Sequence, residues 1–170
     1  MKIKELFPYI EKISDKDLED KVEKTIKYAL KEWNEKEIKD IPFTLLTETD
    51  INLIDHTNTV TELSYNAGKV MKERGFRINM DYLVAGAILH DIGKFLEFEK
   101  RGDKTVKSSF GKLVRHPVSG AGIAMMFDLP MGVINIIAAH SKEGDFVKRT
   151  PEAIIVHHCD FIHFENVKAL

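Results

Sequence analysis

Six side chains from the two classes that bind transition metals stand in or beside apolar segments and form one candidate set: His56, His90, Asp91, His116, His140 and Asp160. Imidazole nitrogen and carboxylate oxygen together suit borderline ions such as Mn, Fe, Co, Ni or Zn, whereas an all-oxygen set favours Mg or Ca. The pair His90–Asp91 closes the run "ILHDIGKF" at 88–95. An ionised carboxylate at the end of such a core-type segment is costly unless it is paired or holds a metal. Neighbouring residues lie about 100° apart on an ideal helix, so both reach one ion only near a helix end or a curved cleft. Six donors exceed one tetrahedral site, and a carboxylate can bridge two ions. The inventory admits a two-metal centre.

Cations accompany these donors. Lys94 follows His90 by four residues and Asp91 by three, which places it near the same helix face. Arg115 stands beside His116, and its guanidinium can bind phosphate oxygens bidentately. Lys142 and the lysines at 104, 107 and 112 are further candidates for a cleft rim. His157 and His163 flank Asp160 at three residues on either side and are expected to pack or hydrogen-bond, with His157 a reserve ligand. Cys159, the only cysteine, reads as a small buried hydrophobe and excludes an internal disulfide.

The elements that must position these groups read as helices. "SDKDLEDKVEKTIKYALKEWNEKEI" carries Leu18, Val22, Ile26, Ala29, Leu30 and Trp33 at three- and four-residue steps, with Ser14 or Asp15 as N-cap and Pro42 beyond its end. "HTNTVTELSYNAGKVMKERG" places His56, Val60, Leu63, Ala67 and Val70 or Met71 on one face and stops at Gly75. "NMDYLVAGAILHDIGKFLEF" is apolar on most sides, as a central enclosed helix must be, with Asn79 or Asp81 as cap. Residues 99–112 read as a mobile polar surface loop. Three further helical segments follow, the last opening on Thr150 and Pro151; Met125, Met126 and Phe127 are expected in core or interface packing, and the glycines of "SGAGIA" at close helix contacts. No period-two strand pattern stands out. The fold class is all-α, a bundle of six or seven helices forming one domain over 1–170.

At 170 residues and net charge −2, the chain has no charge excess that makes nucleic acid or an anionic membrane an obligatory partner. The opening "MKIKELFPYI" lacks the apolar core of a secretory signal, and no apolar stretch is long enough for a bilayer. A cytoplasmic protein is expected.

"HDIGK" is a common form of the signature of the HD superfamily of metal-dependent phosphohydrolases, and the resemblance extends well beyond it. "DHTNTV" resembles the family's leading histidine on an early helix, and "RHPVSGAGIA" its HP-x-x-G segment. "IIAAHSKEGD" resembles the later histidine segment and "EAIIVHHCDFI" the closing aspartate helix. The segments occur in the family's order over residues 50–165, which leaves 1–49 as an N-terminal helical addition. By position, the resemblance implies His56, His90, Asp91 and Asp160 around a first ion. It implies His116 and His140 with a bridging Asp91 at a second, the cofactors being one or two ions of Fe, Mn, Ni, Co or Zn. Water bridging two dications has a lowered pKa, so the implied reaction is hydrolysis of a nucleotide or related phosphoester by metal-bound hydroxide. Asp91 and Lys94 are then the catalytic candidates, and Lys94 and Arg115 the substrate contacts. "HSKEGDFVKRTP" lacks the GYP motif of the cyclic-dinucleotide branch; the compact layout looks more like small bacterial nucleotidases, including diadenosine-tetraphosphate hydrolases. The same fold and ligand types also occur in di-iron oxygenases, and in non-catalytic nucleotide- or metal-binding regulatory modules.

Overall fold

The computed structural model describes residues 2–170. A short helix α1 (Ile3–Leu6) and a 3₁₀ turn (Pro8–Lys12) lead into α2 (Lys16–Ala29), whose N-cap Asp15 accepts from the amides of Asp17 and Leu18. The single helix expected across 14–38 is two. After α2, Asn34 builds a capping box with Glu37 and starts α3 (Glu35–Asp40), which ends just before Pro42. Between them the Trp33 indole donates to the Phe95 carbonyl at 2.8 Å, fixing the chain where it turns.

Helix α4 (Leu53–Glu73) starts three residues earlier than the apolar pattern suggested, because Asn52 caps it through the Asp55 amide. It stops where expected: Gly75 takes φ +92°, a left-handed conformation that costs glycine little. Met71 rather than Val70 shares the buried face. Helix α5 (Met80–Leu89) is capped by Asn79, and Leu83–Leu89 are buried without a break. It packs against α4 and α2, and against α8 (Met131–Ala139) and α9 (Pro151–Ala169), so it is the central helix of the bundle. Asp81, the other cap candidate, instead accepts from Ser14 N and Oγ and from Asp15 N, tying the start of α2 to α5. Thr150 caps α9 through the Ala153 amide, with Pro151 in its first position.

Two expectations fail after Leu89. The central helix does not continue to Phe98; it gives way to a turn at 90–93 and a short α6 (Lys94–Glu97). Gly93 sits against α7 (His116–Met126), where a Cβ would lie 2.1 Å from the His116 carbonyl oxygen. Gly120 of α7 faces it, whereas Gly122 of the same run meets nothing. Nor is 99–112 a structureless loop. β1 (Phe98–Arg101) and β2 (Lys104–Lys107) form an antiparallel hairpin with Phe98 opposite Lys107, turning at Gly102 with φ +61°. Four-residue strands this polar carry no alternation to read, but a glycine in a two-residue connection is the turn chemistry that hairpins need.

Among the described residues, the helices of nine residues or more are α2, α4, α5, α7, α8 and α9. With one small hairpin they make a predominantly α-helical fold, as expected. Phe7, Ile10, Ile13, Leu18, Val22 and Ile26 from the N-terminal segment enter the same apolar cluster as Leu89 and Ile137. Phe127 packs against it, but Met125 and Met126 do not: they are exposed on α7, which corrects the core alternative for these two.

Candidate metal centre

The six donors come from five elements that converge on one end of α5. His56 projects from the first turn of α4, and Asp160 from the middle of α9. His90 is the C-cap of α5 and Asp91 opens the turn after it, while His116 begins α7 and His140 is the C-cap of α8. The departure from helix at His90 is what lets two adjacent residues face one centre, the geometry that an uninterrupted helix would forbid. All are buried except Asp160, whose side chain is 16% exposed. They form two groups, His56–His90–Asp160 and Asp91–His116–His140, and within each the donor atoms lie within 4.8 Å of one another.

Asp91 stands between the groups. Its Oδ2 lies 3.3 Å from His56 Nε2 and 3.4 Å from His90 Nε2, and its Oδ1 3.3 Å from His116 Nε2 and 3.5 Å from His140 Nε2. Asp160 Oδ1 is 3.2 Å from His56 Nε2.

The other ring nitrogens decide what these Nε2 atoms carry. His90 Nδ1 is 2.6 Å from the Ala87 carbonyl, His140 Nδ1 2.8 Å from the Ile137 carbonyl, and His116 Nδ1 2.8 Å from Glu97 Oε2. Each acceptor requires a proton on Nδ1, so in the neutral imidazole Nε2 is a bare lone pair. Bare nitrogens aimed at carboxylate oxygens repel unless a cation lies between them. The donor set therefore fits divalent transition ions, in the pattern where an outer acceptor orients each ligating imidazole. His56 is held differently: its ring stacks on Phe43 with centroids 4.6 Å apart, and its Nδ1 faces His163 Nδ1 at 2.9 Å.

Electrostatics agree. Burial opposes charge on Asp91 and Asp160, but the Lys94 ammonium beside Asp91, and the hydrogen bond from His56 to Asp160, hold both carboxyls well below the usual carboxylate range. Burial lowers His116 to about 4 against the pull of Glu97, so it is neutral near pH 7. Glu97 is itself held at about 2 despite burial by its bonds to His116 and Lys107. Burial raises the Cys159 thiol, consistent with a packed, unreactive side chain.

A cavity of about 620 Å³ opens onto this centre. Asp91, His116, His140 and Asp160 lie at its base, and Lys94, Lys107, Arg115 and Lys142 line its walls; the lysines at 104 and 112 do not. Lys94 donates to Asp91 Oδ2 at 2.5 Å and to the Phe43 carbonyl at 2.6 Å. Arg115 is half exposed and bonded to Glu97 and Glu143, both at 2.9 Å. His157 belongs to neither group; its Nδ1 donates to the His140 carbonyl at 2.6 Å. Sequence reasoning missed Glu97, buried behind His116, and the apolar wall of Phe43, Leu45, Phe161 and Phe164. Nothing local in "FLEFEK" distinguishes Glu97 from Glu99; the hairpin that folds back beside it does.

A known family resembles this chain over the region that holds these donors. The HD domain profile matches residues 53–165, more than half of the chain. The chain is 35% identical over 112 residues to the dihydroneopterin 2′,3′-cyclic phosphate phosphodiesterase of Methanocaldococcus jannaschii, covering 64% of this chain and 44% of that protein. It is 33% identical over 109 residues to ribonuclease Y of Thermosipho melanesiensis, covering 64% of this chain and 18% of that protein. For ribonuclease Y of Mycoplasma capricolum the figures are 30% over 160 residues, 89% and 27%. The chain thus spans less than half the length of these curated relatives. No solved structure matches it. The matched region runs from α4 into α9 and includes all six donors, and the chain belongs to the HD domain family.

Proposed function

We propose that this chain is a metal-dependent phosphohydrolase cleaving a phosphodiester of a small organic compound such as a nucleotide. The observation that carries this reading is the Asp91 carboxylate, which turns one oxygen to each donor group. In this reading His56, His90, Asp160 and Asp91 Oδ2 hold one ion, and His116, His140 and Asp91 Oδ1 hold the other. Bound divalent ions supply Lewis acidity at the phosphoryl oxygens and lower the pKa of water, so that hydroxide is available near neutral pH.

The chain's own groups place the substrate. Two of the three N–H bonds of Lys94 go to Asp91 and Phe43, which fixes its position and leaves the third for a phosphoryl oxygen. Arg115 and Lys142 add positive charge along the cavity wall, while Phe161, Phe164 and Leu45 offer an apolar surface to the organic part. Hydrolysis forms one P–O bond from water and breaks one ester P–O bond, the leaving alcohol taking the proton; a cyclic diester opens to a monoester.

The test uses protein loaded with Mn²⁺ or Fe²⁺ and three probes: bis(p-nitrophenyl) phosphate, a nucleoside 2′,3′-cyclic phosphate and a short RNA. The names of the phosphodiesterase and ribonuclease Y relatives motivate the last two. Cleavage of a probe that disappears in Asp91→Ala and His90→Ala is expected. Full activity in both variants would sink the proposal, and oxygen uptake without ester cleavage would favour oxidation chemistry at the same donors.

A further inference from the structure

Behind the second donor group lies one more buried carboxylate, Glu97, at the end of α6 and 2% exposed. Its Oε2 accepts from both the backbone N–H and the Nδ1–H of His116, each at 2.8 Å. Its Oε1 accepts from Arg115 Nη1 at 2.9 Å and lies 3.2 Å from Lys107 Nζ. A carboxylate has about four lone-pair sites, and all are taken. The backbone of Glu97 is fixed as well. Its N–H donates to the Gly93 carbonyl, its carbonyl accepts from the Ser108 amide at 2.9 Å, and a Cβ on Gly111 would lie 2.1 Å from that oxygen. No side chain of its own caps α7, so Glu97 takes over that task, an anion at a helix N-terminus.

An ion pair serving only the fold would need Arg115 and Lys107 but not the imidazole. The imidazole contact has a chemical consequence: it decides which nitrogen of His116 is bare. We infer that Glu97 is a positioning residue that holds His116 in its Nδ1–H tautomer with Nε2 toward Asp91. It thereby sets the divalent-cation affinity of the Asp91–His116–His140 group without affecting the His56–His90–Asp160 group. This inference rests on the metal-centre reading above. It adds an outer acceptor to that reading, supplied from beside the hairpin.

The experiment compares wild type, Glu97→Gln and Glu97→Leu. Glutamine keeps one acceptor for His116, whereas leucine keeps none. Mn²⁺ titration followed by the electron paramagnetic resonance of the free ion counts the sites. Long-range ¹H–¹⁵N spectra of the metal-free proteins report the His116 tautomer. Wild type should bind two ions. Weakening of one, on the order of tenfold in Glu97→Gln and a hundredfold in Glu97→Leu, is expected from loss of an outer-shell acceptor. The other ion should bind as in wild type. His116 should keep its proton on Nδ1 in wild type and Glu97→Gln and redistribute it in Glu97→Leu. Unchanged affinities and tautomer, or equal weakening of both sites, would overturn the inference while leaving the two-ion reading standing. A wild type that binds no ion would remove that reading and this inference with it. Should Glu97→Leu fail to fold, the one-site loss in Glu97→Gln still decides.

Discussion

The two donor groups are built on different principles. In the first, His56 and Asp160 project from within the long helices α4 and α9, so the packing of those helices aims them; only His90, the C-cap of α5, stands at a helix end, and the Ala87 carbonyl braces it. His56 is further clamped between the Phe43 ring and the His163 imidazole. In the second, every donor stands at an element boundary: Asp91 in a turn, His116 at the start of α7, His140 at the end of α8. Helix ends leave backbone groups unpaired and side chains less constrained. That group is braced by polar contacts instead, the Glu97 carboxylate on His116 and the Ile137 carbonyl on His140. Donors inside helices inherit their aim from core packing, whereas donors at helix ends need a partner of their own.

The largest expected effect removes what the groups share. Asp91→Ala should abolish ion binding at both and lower phosphodiester cleavage by more than the 10–100-fold typical of an outer-shell change. Metal analysis of the purified variant checks this, and retention of two ions would dismiss Asp91 as the bridge. Next, His56→Ala and His140→Ala should each leave one of the two proposed ions, and the surviving ion should differ between them. If both variants lost the same ion, the division into two groups would be wrong.

A smaller change sharpens the contrast between the two kinds of bracing. His163→Phe keeps the aromatic packing around Phe43 but removes the nitrogen facing His56 Nδ1. On the order of tenfold weaker Mn²⁺ binding is expected at the first group only, the mirror image of the Glu97 variants. The smallest effect lies away from both groups. Burial would raise the Asp81 carboxyl, but the bonds from Ser14 and Asp15 outweigh it and hold it below its ordinary value. A group lowered on folding stabilises above its unfolded pKa, near 4, and that stabilisation is lost as pH falls through the folded value. Asp81→Asn should therefore cost about 1 kcal/mol at pH 7, after allowance for its partial exposure, and progressively less toward pH 3. Thermal unfolding at the two pH values measures this, and metal affinity should not move.

Much of this was legible in the chain. The three- and four-residue spacing from Leu18 to Ala29, and the caps Asp15, Asn79 and Thr150, follow from local hydrogen bonding and periodicity, which need no distant partner. The six donors were legible because each interrupts or borders an apolar run, where an unpaired polar group is costly. What escaped reading depends on residues far apart in sequence. The turn at Gly93 exists because α7 passes against it, and the polar hairpin at 98–107 has no hydrophobic alternation. Glu97 is buried only because that hairpin and α7 close over it.

By itself, then, the sequence determined the helical class, the inventory of imidazoles and carboxylates, and their order along the chain. Those properties reside in residue type and local spacing. The resemblance of its motifs also implied which donors share a group; only the tertiary structure decided which oxygen of Asp91 faces which group and which ring nitrogen of His90, His116 and His140 is free. The reason is physical. Which oxygen of Asp91 faces which donor depends on distances of a few ångströms between side chains tens of residues apart, and the tautomers depend on acceptors that only the folded helix ends and Glu97 present.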